Sequence, residues 1–375
     1  MTVLALRLCK AANGVSKING EVCRQMWSYL YPVSKASHKG YRPEKEVPLN
    51  HITNGVHAPT WTAPLLADLY AQYLGEDWAN WEMDEQMWER VDEIPDREIW
   101  WRHQCLQERL IAFVRSQVRQ TRQKRGDSGE SLQETERLFD PNVLTIGFAR
   151  RFSGYKRGDL IMHDRDRARA IISNPERPVQ IVFAGKAHPA DQDSKRIMQR
   201  LIEWSHHPDL KNRIVFIEDY DMHIAEKLVQ GVDVWLNNPQ RPKEACGTSG
   251  QKASFNGVIN CSILDGWWPE VYQTSSDGKG VNGWAIGDGT QVDDSELQNK
   301  LDSESLYRIL EEEIIPCYYD RDEEGLPRRW IAMMKASIKS VAPYFNSDRM
   351  VKEYVQKVYL QPTKVPEPAV VGSGK

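Results

Sequence analysis

VLTIGFARRFSGYKRGD, residues 143–159, is where the chain changes character. Its first seven residues form an apolar run that reads as a buried strand, and Arg150, Arg151, Lys156 and Arg157 crowd the eight that follow. The same alternation continues downstream. A helix is expected over 159–173, then strand VQIVFAG (179–185), helix 192–205, strand RIVFIE (213–218) and a short helix 224–230. Strand DVWLNN (233–238), helix 248–255 and strand VINCSIL (258–264) complete the series. Near-continuous apolar strands alternating with helices predict an α/β, Rossmann-like parallel sheet covered on both faces. In such sheets ligands gather at the carboxyl ends of the strands, and each polar cluster here falls at one of those ends.

Outward from that block the chain reads as helical extensions. Residues 1–31 are expected to be helical, beginning uncapped inside an apolar pattern at Thr2 that calls for a packing partner. Residues 34–47 are polar and loop-like. Residues 65–118 show helical periodicity, and 99–125 carry Ile99, His103, Leu106, Leu110, Phe113, Val114 and Val118 on one face. The basic end RQTRQKRG is explained by the helix dipole more cheaply than by nucleic acid. A polar connection, 126–140, leads into the sheet; 304–360 return to helix, and 361–375, rich in Pro and Gly, read as a disordered tail.

A net charge of -4 argues against a general nucleic-acid binder. No apolar run approaches the roughly 18 residues of a membrane helix, and no signal peptide is expected. The six cysteines are scattered without a C-x-x-C pair, which favours reduced thiols and a cytoplasmic setting. Thirteen tryptophans suit sugar rings as a set, while ordinary core packing explains any one of them. His51 and His57 lack a third ligand at suitable spacing, so no metal site is expected.

Four cations at a strand end would repel one another unless an anion sits among them, and phosphate or a sugar phosphate is the economical occupant. Further strand ends offer Lys186 and His188, then Glu218, Asp219 and Tyr220, then Asn237, Asn238, Arg241 and Glu244; Glu244 and the paired asparagines put acceptors and donors on short stems, as a hydroxyl-rich ligand needs. EACGTSGQKAS, from Glu244, sets Gly247, Thr248, Ser249 and Gly250 ahead of Lys252 at a helix start, an arrangement that suits a phosphate and a cofactor-bonding lysine. Gln251 breaks the nucleotide phosphate-loop spacing, no GxGxxG follows the first strand, and HExxH and GxSxG are missing. Unaided spacing leads to an anion-and-sugar site in an α/β enzyme.

NNPQRPKEACGTSGQKASFNG and RRFSGYKR resemble the signature motifs of the α-glucan (glycogen/starch) phosphorylases, pyridoxal-phosphate enzymes of the two-domain glycosyltransferase B fold. TNGVHAPTW, AGKAHP and NSDRMVKEYVQKVY match family stretches in the same order, so the resemblance runs from about Met1 to Leu360. It implies pyridoxal 5'-phosphate as cofactor, with Lys252 as the Schiff-base residue and Tyr220, Thr248 and Gly250 beside it. It places phosphate on Arg151 and Lys156, and sugar on Glu244 and Gly247. The implied reaction is phosphorolysis of a terminal α-1,4-glucan bond to glucose 1-phosphate. Cys246 and Gln251 depart from residues common in the family, and Asp221 replaces an animal-type arginine, which points to the bacterial branch.

On this resemblance 1–48 are expected to be a remnant of the N-terminal domain, 49–140 a helical connection, 141–303 the C-terminal catalytic domain and 304–360 its closing helices. A complementing N-terminal fragment or a homodimer is the expected partner. The rivals are a sugar-nucleotide-dependent glucan synthase, which would form no Schiff base, and a non-catalytic glycan-binding or dimerising remnant.

Overall fold

The computed structural model describes residues 1–31 and 46–360. The expected loop 34–47 (save its last two residues) and the tail 361–375 lie outside the described residues. Eight strands are described: β1 (Ala12–Gly14), β2 (Leu49–His51), β3 (Leu144–Ala149), β4 (Val179–Ala184), β5 (Ile214–Ile217), β6 (Val234–Asn237), β7 (Ile259–Ile263) and β8 (Gly283–Ile286). The last six form one sheet in the order β5-β4-β3-β6-β7-β8, parallel throughout. Every residue of β3, β4, β6 and β7 is buried, as strands covered by helices on both faces require.

The strand order reverses direction at β3. From β3 the chain moves outward to β4 and β5, then returns to lay β6 on the other side of β3, with Ile146 opposite Val234. The crevice at the carboxyl ends of β3 and β6 is thus a topological switch point, where the diverging connections leave room for a ligand.

Helix Asp96–Arg125 runs beside the sheet, acidic in its first turn and basic in its last, and stops at Gly126 in the left-handed region (φ 79°). Its expected inner face holds: Ile99, His103, Leu106, Leu110 and Val114 are buried. At the amino ends of the strands His103 Nε2 and Asp233 Oδ1 lie 2.7 Å apart, while Asp233 Oδ2 accepts from Gln107 Nε2 (2.8 Å) and the Thr145 amide (2.7 Å). Helix Arg328–Val341 closes the other side with Trp330, Ile331, Met334, Ile338 and Val341 all buried.

Four expectations need correction. Residues 1–31 are not continuous helix: Thr2–Leu8 and Lys17–Trp27 are separated by β1, and the Ser16 hydroxyl caps the second by accepting from the Asn19 amide. β1 pairs in parallel with β2, making a separate two-stranded sheet. The connection 126–140 contains a short helix, Gly129–Glu134. A sixth strand, β8, lies in the Gly-rich stretch after 264, and the helix Ser295–Ile309 crosses the boundary expected at 303/304. No helix among the described residues is long and apolar enough to cross a membrane.

Candidate active site

Arg150 is the first residue past β3, and it is buried. A single turn of 3-10 helix, Gly154–Lys156, then brings Lys156 back toward the sheet. Both cations converge on one atom of the loop after β6: Lys156 Nζ donates to Glu244 Oε2 at 2.8 Å, and Arg150 Nη2 lies 3.2 Å from the same oxygen. All three side chains are less than a tenth exposed. Burial and the neighbouring Arg150 charge lower the Lys156 pKa to about 8, against the opposing pull of Glu244.

The other two cations of the motif part company. Arg157, with φ 47°, turns its guanidinium onto the carbonyls of Asn238 (2.9 Å) and Pro239 (2.8 Å) and onto Asp302 Oδ2 (2.7 Å). It staples the β3 and β6 loops to helix Ser295–Ile309. Arg151, the expected phosphate ligand, is exposed and makes no ion pair among the described residues. The charge of the motif is therefore met in part by the chain's own Glu244 and Asp302. The inward-facing partner of Lys156 is Arg150, a member of the motif that spacing alone did not separate from its neighbour.

Glu244 is set by its backbone. Its amide donates to Asp265 Oδ2 (2.9 Å), whose other oxygen accepts from the Gly266 amide (2.8 Å). Burial raises the Asp265 pKa to about 6, with these two amides opposing. Gly247, at φ +83°, passes so close that a Cβ there would stand 3.2 Å from Glu244 Cγ. Tyr220 is half-buried near Arg150, whose charge partly offsets the rise in its phenol pKa caused by burial.

Helix Ser249–Ser254 follows directly. Thr248 precedes it without a side-chain capping bond, and the Ser249 hydroxyl accepts from Trp235 Nε1 (3.1 Å). Gly250 is buried against Asn260 and Trp267, which gives it a packing reason to be glycine. Lys252 places its Nζ 3.6 Å from the ring centroid of Trp61, and burial lowers its pKa. Asn256 ties that wall in place: its Nδ2 donates to the carbonyls of Trp61 (2.9 Å) and Lys252 (3.1 Å), and its Oδ1 accepts from the Ala63 amide (2.7 Å). Trp61 and Asn256 were not candidates on sequence; the two prolines flanking Trp61 were the only local signal.

Several strand-end groups have other duties. Glu218 pairs with Arg125 of the long helix, and Asp221 caps helix Met222–Gly231 by accepting from the Ile224 amide. Asn237 Nδ2 donates to Ser262 Oγ (2.9 Å) and Asn238 Nδ2 to the Arg157 carbonyl (3.0 Å). Lys186 and His188 are exposed, and His57 Nδ1 lies 2.7 Å from Thr60 Oγ1. No group of metal-ligating side chains forms among the described residues.

What remains is a set of buried polar atoms without partners. Arg150 Nη1, Ser153 Oγ and Arg241 Nε, all on the loops leaving β3 and β6, are buried without a partner, as are the Oδ1 atoms of Asn237 and Asn238. An unmade buried hydrogen bond costs about 1–3 kcal/mol, so such a cluster is retained where a ligand completes it. A cavity of about 410 Å³ lies elsewhere, between the end of helix Asp96–Arg125 and β5. Its lining contains none of the unpartnered buried side-chain atoms found among the described residues, so the switch point carries the stronger chemistry.

A family model for carbohydrate phosphorylases matches residues 1–287. The chain is 48% identical to a glycogen phosphorylase of Aquifex aeolicus over 96% of its own length and 49% of that protein's. It is 44% identical to a maltodextrin phosphorylase of Thermococcus litoralis over 96% of this chain and 40% of the relative. A glycogen phosphorylase of Mycobacterium tuberculosis is 40% identical over the same shares. The chain thus spans about half the length of the curated relatives it matches, and over that span the motifs at the switch point and their order mark it as a member of the carbohydrate phosphorylase family.

Proposed function

We propose that this chain supplies the cofactor- and phosphate-binding half of a cytoplasmic α-1,4-glucan phosphorylase, which releases glucose 1-phosphate from non-reducing ends. The observation that carries the reading is the buried Arg150–Glu244–Lys156 cluster at the switch point, followed at once in sequence by the desolvated amine of Lys252.

The residues fit pyridoxal phosphate. An aldehyde is captured by an unprotonated amine, and burial favours that form of Lys252. A phosphate group needs donors, and Arg150 Nη1, Ser153 Oγ and Arg241 Nε are buried donors without acceptors. When bound, the cofactor supplies a phosphate group that exchanges a proton with the attacking phosphate. Arg150 and Lys156 hold two phosphate groups close together by offsetting their mutual repulsion, and Arg151, exposed at the mouth, meets the incoming phosphate. Glu244 and Gly247 position the sugar, the carboxylate accepting from its hydroxyls. Tyr220 and Thr248 border the cofactor pocket. With the facing wall in place the site would exclude water, so that phosphate rather than water attacks the sugar.

Residues 1–48 are, in this reading, the edge of a second lobe. The three-residue strand β1, which pairs with β2 just beyond this segment, and a helix, Thr2–Leu8, with no buried residue fit such an edge. The active form needs the facing wall, from a complementing fragment or a longer chain, and a homodimer is a natural assembly.

The test is direct. Purified chain mixed with pyridoxal phosphate should gain the cofactor's near-ultraviolet absorbance, and borohydride should fix it on Lys252, as read by peptide mass. Lys252→Ala should lose both. Retention of the label elsewhere, or none at all, rejects Lys252 as the cofactor lysine and favours a non-catalytic glycan-binding role for this chain. The chain alone should show little phosphorolysis, and full activity would refute the need for a second lobe.

A further inference from the structure

Glu244 does more than neutralise a basic corner. One oxygen, Oε2, receives both Lys156 and Arg150, while the residue's backbone is pinned by Asp265 and its side chain is backed by Gly247. The carboxylate is thus presented to the two cations that phosphate would need. Three buried groups carry two positive charges and one negative, and a phosphate anion brought to Lys156 and Arg150 would meet Glu244 at contact distance. Like charges sharing a buried site repel strongly. Phosphate therefore binds well only if Glu244 gives up Oε2. A buried carboxylate that gives up its cations needs replacement donors, and the hydroxyls of a sugar are groups of that kind.

We propose that Glu244 is a placeholder anion that couples the two substrates: it occupies Lys156 and Arg150 until a sugar draws it away, so that phosphate and sugar each favour the other's binding. The coupling is reciprocal, since a sugar needs Glu244 free and phosphate competes for the groups that hold it. It rests on the reading of Lys156 and Arg150 as phosphate ligands. It also explains why a site so rich in cations need not fill with phosphate before a glucan arrives.

The experiment is calorimetric titration of the protein with inorganic phosphate, with and without D-glucose, for the wild type and Glu244→Gln. A pH of about 6 keeps Lys156 charged even when its carboxylate partner is removed. The glutamine keeps the shape and the sugar-facing oxygen but removes the charge. Glu244→Gln should bind phosphate about tenfold more tightly than wild type, and glucose should tighten phosphate binding several-fold in the wild type alone, within the usual range of coupling. Phosphate binding by Glu244→Gln that is equal to or weaker than wild type overturns the inference, as does a wild-type affinity indifferent to glucose. Phosphate binding to neither protein overturns the phosphate-site reading itself and the inference with it. Thermal unfolding guards against a damaged variant: phosphate should raise the Tm of Glu244→Gln more than that of the wild type, and a smaller rise overturns the inference.

Discussion

A Cβ at position 250 would stand 2.3 Å from Asn260 Oδ1 and 2.9 Å from Trp267 Cζ2. Asn260 cannot yield easily, because its Nδ2 donates to the Gly250 carbonyl (3.2 Å) and to Ser254 Oγ (2.8 Å). Gly250→Ala should therefore lower stability by about 1–3 kcal/mol, the usual cost of overpacking, seen as a lower urea midpoint. Lys156 gives a pH signature. Its pKa, about 8, lies below that of a free lysine, so its charge is present below pH 8 and is lost as pH rises through it. Phosphate affinity should fall above about pH 8, and Lys156→Arg should move that fall to higher pH in the same titration. The motif RRFSGYKR identified the anion-binding turn but not which arginine faces inward. Strand alternation, which would have decided it, ends at that point: Arg150 is the first residue past β3. Lys252 and Glu244 could be singled out as candidates because the small residues and glycines around them mark a close approach. Trp61 could not, since its contact with Lys252 spans 191 positions and no local pattern encodes it.

Elements were most legible where burial is total. Five of the six main-sheet strands follow the apolar runs closely, because strands buried on both faces tolerate few polar residues. β8 escaped notice because its four residues sit among Gly280, Gly283 and Gly287, and its register comes from pairing with β7 rather than from its own composition. The break in 1–31 was written in the sequence: Asn13-Gly14 is a turn signal and Ser16 a cap, but the apolar periodicity on either side outweighed them. Helix Asp96–Arg125 is joined to the sheet by the buried His103–Asp233–Gln107 network. Asp233→Ala removes the shared acceptor and should cost about 3 kcal/mol in equilibrium unfolding. Lys252 labelling by pyridoxal phosphate should persist in the folded variant, since Asp233 lies at the amino ends of the strands.

At the scale of the molecule, the first helix is an appendage. Met1, Val3, Leu4 and Leu8 are exposed, and no residue of Thr2–Leu8 is buried. Removal of residues 1–8 should shift the unfolding free energy by less than about 0.5 kcal/mol, measured in urea, because no core contact is lost. A larger loss would show that the helix is packed in solution. The sheet order has a different consequence. The two loops that carry the chemistry leave β3 and β6, the central pair, and each is shielded from the rim by two further strands: β4 and β5 on one side, β7 and β8 on the other. An engineer looking for a place to attach a dye, an affinity handle or a fused domain would choose the amino end of β5, since the carboxyl ends of the rim strands lead to Tyr220, near Arg150, and to helix Ser295–Ile309, which Arg157 binds.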